Sequence, residues 1–120
     1  MSLFRAISIE VHVALEAFAA PVLLVAPFVL GFSYLAGAFS IVLGILLLGL
    51  ATSLYGSDLR ESLPLSAHAG FDYMLAAAAI VAGIVAGIAG DHIATVFLVG
   101  FGSAHLALTA STRFSRPLGA

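Results

Sequence analysis

Four apolar runs dominate the chain, from about Ile9 to Leu30, Leu35 to Leu54, Leu65 to Ala89 and His92 to Thr112. Each is long enough to cross a hydrocarbon layer of ~30 Å as a helix, which takes ~20 residues. No other feature constrains the fold as strongly. With 62% of its 120 residues hydrophobic and 8% charged, the chain has too little polar surface to cover four such runs in water. Inside a bilayer each segment must satisfy its own backbone N–H and C=O groups, which a helix does. The expected fold is an all-α membrane protein, a single transmembrane domain over 1–120 with four transmembrane helices.

Two of the runs carry ionisable side chains near their entrances. His12-Val-Ala-Leu-Glu16 places a histidine and a carboxylate one helical turn apart, on one face. The arrangement returns 56 positions later as His68-Ala-Gly-Phe-Asp72. The chain therefore reads as two copies of one unit, about 8–54 and 64–112, each a helical hairpin. Gly31-Phe-Ser-Tyr34 suits a tight turn, with Gly31 ending the first helix and Ser33 capping the second. Gly90-Asp91 plays the same part in the second copy, with Asp91 as cap and His92 exposed beside it. The polar run Tyr55 to Pro64 (YGSDLRESLP) reads as a surface loop, with Ser62 or Pro64 starting the third helix.

The first helix is expected to begin as a surface lead-in capped by Ser2, with Arg5 and Glu10 among headgroups. Pro21 and Pro27 should kink it and free the carbonyls of Ala17 and Leu23. Met1 to Ala19 has some features of a secretory signal, but Glu10, His12 and Glu16 interrupt the apolar centre such a signal needs, so the segment is read as retained. Along the third helix Ala79, Gly83 and Gly87 form a small-xxx-small stripe. That face is expected to support a homo-oligomer or docking into a larger membrane complex.

The four arginines, Arg5, Arg60, Arg113 and Arg116, fall at the two ends and in the middle loop. By the positive-inside rule these parts face the cytoplasm. Two helices per copy then give the copies one orientation, so the hairpins are parallel repeats related by an axis along the membrane normal. Four dispersed arginines make no nucleic-acid footprint. Cysteine is absent, which excludes disulfides and thiolate chemistry, and no nucleophile-and-base pair, phosphate loop or nucleotide fingerprint is present, so the chain is not read as an enzyme.

The first copy, His12-xxx-Glu16 followed by Val25-Ala-Pro-Phe-Val-Leu-Gly-Phe-Ser33 and Val42-Leu-Gly-Ile-Leu46, resembles an SPW-type repeat of bacterial membrane proteins. In that family a Ser-Pro-Trp triplet precedes a Gly-Phe at the outer end of the first helix. Here the triplet reads Ala26-Pro27-Phe28, and the second copy has Ala82-Gly83-Ile84, keeping only Gly87 of the later pair. The resemblance implies a small two-hairpin protein of the bacterial plasma (inner) membrane, and it brings no biochemical activity with it.

Counted from the ends that carry the arginines, His12, Glu16, His68, Asp72 and His105 share one layer of the bilayer. Ionisable groups at such depth normally face the bundle and pair, and they mark a site by default. The preferred reading is structural: each His donates to the carboxylate one turn on, and the pairs clasp helices one, three and four. A metal site is the second, because two facing His-xxx-carboxylate turns with His105 offer the N and O donors that Zn, Fe or Mn accept. Haem b held by two of His12, His68 and His105 is the third. A proton-coupled carrier working through Glu16 or Asp72 is the fourth.

Overall fold

A computed structural model describes residues 5–53 and 64–115 and contains four helices, α1 (Ile9–Leu30), α2 (Tyr34–Thr52), α3 (Leu65–Ile88) and α4 (His92–Ala110). Each is long and apolar enough to cross a membrane. The helices start where short polar side chains can take an orphan N–H. The hydroxyls of Ser8 and Ser33 accept from Val11 and Ala36, and the Asp91 carboxylate accepts from Ala94. Pro64 precedes α3. Gly31 and Gly90 close the turns between paired helices with φ of 69° and 97°, backbone that only glycine adopts without strain.

The expected spans agree with these helices to within two residues. The lead-in and cap expected before α1 do not. Ser8 rather than Ser2 caps it, and residues 5–8 are not helical. Ile7 instead pairs with the segment that leaves α4: its N–H donates to the Ser111 carbonyl at 3.0 Å, and its own carbonyl accepts from Arg113 at 2.8 Å. Whether residues 1–4 form a lead-in, whether the Tyr55 to Pro64 run is a surface loop, and what part Ser62 plays before the third helix lie outside the described residues, apart from Pro64.

The chain folds as two hairpins, α1 against α2 and α3 against α4, which meet chiefly through α2 and α3. Three layers fill the bundle. At the end bearing the termini, Ile9, Val13 and Ala51 pack with Phe114. Leu23, Leu43, Leu47, Leu75 and Leu98 fill the middle, and Ala36, Ala86 and Ala94 let the helices close at the turn end. Phe18, Phe28, Val29, Ile88 and Val96 point outward, as lipid-facing side chains do.

α1 runs unbroken through Pro21 and Pro27, both inside the helix. Pro27 cannot donate to the carbonyl of Leu23, so that group would be an unsatisfied acceptor. The Ser40 hydroxyl of α2, fully buried, donates to it at 2.6 Å. Close approach within each hairpin depends on small residues. A Cβ on Gly44 would lie 3.1 Å from the Ala20 carbonyl oxygen, and one on Gly102 would lie 2.8 Å from the Ala76 carbonyl oxygen. The Ala79, Gly83 and Gly87 stripe also turns inward. A Cβ on Gly83 would meet Val99 Cγ2 at 2.7 Å, and one on Gly87 would meet Thr95 Oγ1 at 2.6 Å. α4 therefore occupies the face expected to serve self-association.

Candidate functional site

α1 carries His12 and Glu16 one turn apart, α3 carries His68 and Asp72 likewise, and the two inward faces look at each other near the end bearing the termini. α4 adds His105. The structure brings all five predicted residues together. His12, Glu16, His68 and Asp72 are 0–1% exposed and His105 is 4% exposed.

The pairing differs from the expected one. His12 Nε2 lies 2.9 Å from Asp72 Oδ2, and His68 Nε2 lies 3.0 Å from Glu16 Oε1, so the aligned hydrogen bonds cross between the hairpins. The contacts within each turn are 3.1 Å for His12 with Glu16 Oε2 and 3.2 Å for His68 with Asp72 Oδ2. They are close without having hydrogen-bond alignment, because each ring nitrogen has one in-plane hydrogen-bonding direction and here it lies toward the opposite helix. His105 Nε2 lies 3.1 Å from Asp72 Oδ1 and 3.6 Å from Glu16 Oε2.

Two further side chains complete the surroundings. The Thr112 hydroxyl donates to the Leu108 carbonyl at 2.6 Å and lies 2.8 Å from His12 Nδ1. Phe114 sets its ring 5.1 Å from that of His12 and 6.2 Å from that of His68. Sequence reasoning took both for the end of the last helix and its tail. No spacing rule connects Thr112 to a residue 100 positions earlier. Phe101 stacks on His105 at 5.5 Å.

Among the described residues, Glu16 Oε2, His68 Nδ1 and Thr109 Oγ1 are buried without a hydrogen-bond partner. His12, Glu16, His68 and Asp72 each offer one donor atom, and the four atoms lie within 4.8 Å of one another, a set able to hold a metal ion. His105 falls outside that set. A porphyrin between any two of the histidines would have to displace the carboxylates that already meet each Nε2 within 3.1 Å. The arrangement does not accommodate haem.

Asp91 caps α4 as expected and His92 is exposed beside it. The Asp91 carboxylate does more than cap. Its Oδ2 accepts the backbone N–H of Ser33 at 2.8 Å, which ties the two turns together at the far end of the bundle. The N–H groups of Ser33 and then Ala94 hold this carboxyl below the usual Asp range.

Comparison of the chain with family models, with curated proteins and with solved structures gave no match.

Proposed function

We propose that this is an integral membrane protein of the structural or interaction class, in which the buried His/carboxylate cluster clasps two hairpins into one bundle. One observation carries the reading: the aligned hydrogen bonds of His12 and His68 reach across to the other hairpin's carboxylate. α1 and α3 each pack chiefly on their hairpin partner, so these side chains join two units that otherwise meet mainly through α2 and α3. The proposed setting is the bacterial plasma membrane, with both termini cytoplasmic, as a homo-oligomer or a subunit of a larger membrane complex. Since α4 occupies the glycine stripe, an oligomer would form through another lipid-facing surface.

The reading of the chain as two parallel repeats of SPW type is part of this proposal. Equivalent packing supports the repeat. Gly44 closes on Ala20 and Leu24 in the first hairpin, and Gly102 closes on Ala76 and Ile80 in the second. A proton-coupled carrier finds less support, because α1 and α3, which hold the carboxylates, are continuous helices.

A double-mutant cycle on Glu16 and His68 in detergent or bicelles tests the clasp. Either alanine variant alone should lose ~3–5 kcal/mol, because it strands a buried partner. The pair should show a coupling of ~0.5–3 kcal/mol. Additive losses would refute the clasp.

A further inference from the structure

We infer that the cluster is a metal site, in which one divalent first-row transition ion is held by His12 Nε2, His68 Nε2 and one oxygen each of Glu16 and Asp72. His105 orients Asp72 through its second oxygen, and Thr112 orients His12. The inference rests on the reading that this cluster joins the hairpins, and it names what closes the junction.

The protons around His12 give the first reason. The hydroxyl hydrogen of Thr112 is committed to the Leu108 carbonyl at 2.6 Å, so toward His12 that oxygen can only accept. His12 Nδ1, at 2.8 Å, is therefore the N–H donor. With Nδ1 so committed, Nε2 bonds Asp72 Oδ2 at 2.9 Å only when the ring carries a second proton; a metal ion replaces that proton, and the neutral imidazole then turns the Nε2 lone pair toward Asp72 Oδ2 and Glu16 Oε2, the latter at 3.1 Å. A metal-binding histidine has this arrangement, one nitrogen on the ion and the other N–H held by a neighbouring oxygen.

The second reason is the geometry between donor atoms. Each Nε2 carries at most one hydrogen, yet those of His12 and His68 each lie within 3.2 Å of two carboxylate oxygens. Only one contact of each pair is aligned as a hydrogen bond. The other two, His12 with Glu16 Oε2 and His68 with Asp72 Oδ2, have no hydrogen aligned between the two atoms. Glu16 Oε2, fully buried, consequently has no hydrogen-bond partner among the described residues. A cation between the four atoms makes such approaches favourable. Bonds of ~2.0–2.1 Å around a tetrahedral ion set neighbouring donors ~3.3 Å apart; Asp72 Oδ2 lies 2.9 Å from His12 Nε2 and 3.2 Å from His68 Nε2, Glu16 Oε1 lies 3.0 Å from His68 Nε2, and one donor atom from each of the four residues falls within 4.8 Å of the others.

Charge supplies the third. Two carboxylates in a dry layer need two positive charges for neutrality. Protons alone would crowd both into a cluster where the His12 ring lies 5.8 Å from His68 and 6.0 Å from His105. A divalent ion at the centre neutralises both carboxylates while the imidazoles stay uncharged. Mixed N and O donors without thiolate suit Zn, Mn or Fe rather than Ca or Mg.

The test uses the full chain purified in detergent, stripped with a chelator and titrated separately with Zn²⁺, Mn²⁺ and anaerobic Fe²⁺. At least one ion should bind at about one per chain, and X-ray absorption should show N/O ligands at ~2.0–2.1 Å with no sulfur. His12→Ala with His68→Ala should abolish binding. Thr112→Val should weaken it ~10- to 100-fold in protein that still melts cooperatively when stripped, and Thr112→Ser should restore it. Absence of binding by all three ions to folded wild-type protein would overturn the metal site, and the Glu16/His68 coupling would still stand. Binding at full affinity by the double variant would also overturn it. Stoichiometric binding with no such coupling would sink the clasp alone.

Discussion

Asp91 shows how much a single carboxylate can do at the end of a bundle. A Gly-Asp pair before an apolar run is legible as a helix cap, and the Asp91 contact with Ala94 is that cap. The tie to Ser33 was not legible, because it joins turns 58 residues apart and depends on how the hairpins lie together. The same limit applies at the polar layer. The His-xxx-carboxylate spacing identified four of the five residues and depth in the bilayer the fifth, His105, but which histidine faces which carboxylate is set by helix rotation, which no local pattern records. Because its folded pKa is depressed, Asp91 stabilises the fold above the ordinary carboxylate pKa of ~3.9, and that contribution disappears as pH falls through the lower folded value. Protection of the Ser33 and Ala94 amides, taken as exchange relative to an unstructured amide at the same pH, should therefore fall in acid in the wild type. Asp91→Ala should show the reduced protection at neutral pH as well. Unchanged protection of the Ser33 amide in that variant would refute the tie.

At the scale of elements, the glycines divide into those that set a helix distance and those that do not. Gly102 and Gly83 sit where α4 meets α3, and a Cβ on Gly102 would press on backbone, 2.8 Å from the Ala76 carbonyl oxygen and 3.0 Å from the Ile80 nitrogen. Gly49 and Gly100 have open space where a Cβ would go. Gly102→Ala should accordingly lower stability by ~1–3 kcal/mol. Gly49→Ala should be neutral or stabilise by up to ~1 kcal/mol, since alanine favours helix more than glycine does. Equal melting temperatures for the two variants would contradict this division. The Ala79, Gly83 and Gly87 stripe was legible as a close-approach face, but its occupant was not. With residues 89–91 alone between the helices, α4 is the neighbour nearest to hand. Local rules also missed the start of α1: Ser2 and Ser8 are equally good caps in isolation, and the pairing of Ile7 with the segment after α4 favours Ser8.

For the whole molecule, the number and limits of the spans followed from hydropathy, because lipid leaves a long apolar segment few alternatives to a helix. The proposed orientation rests on the placement of the arginines. Reporter fusions at Ser33, Ser57 and Ala120 should place the first on the opposite side of the membrane from the other two. A Ser33 fusion on the same side as Ala120 would show the assigned topology to be wrong. The pairing of Ile7 with the residues after α4, and the hold of Thr112 on His12 across 100 residues, also have a consequence in time. At synthesis rates of ~5–20 residues per second, α1 is in place roughly 4–16 s before α4 is complete. During that interval His12 and Glu16 sit among lipids with no Asp72 or Thr112 for part of the time. The first hairpin must therefore tolerate its own charge until the second arrives, and the insertion machinery meets a half-finished site in every copy of the chain.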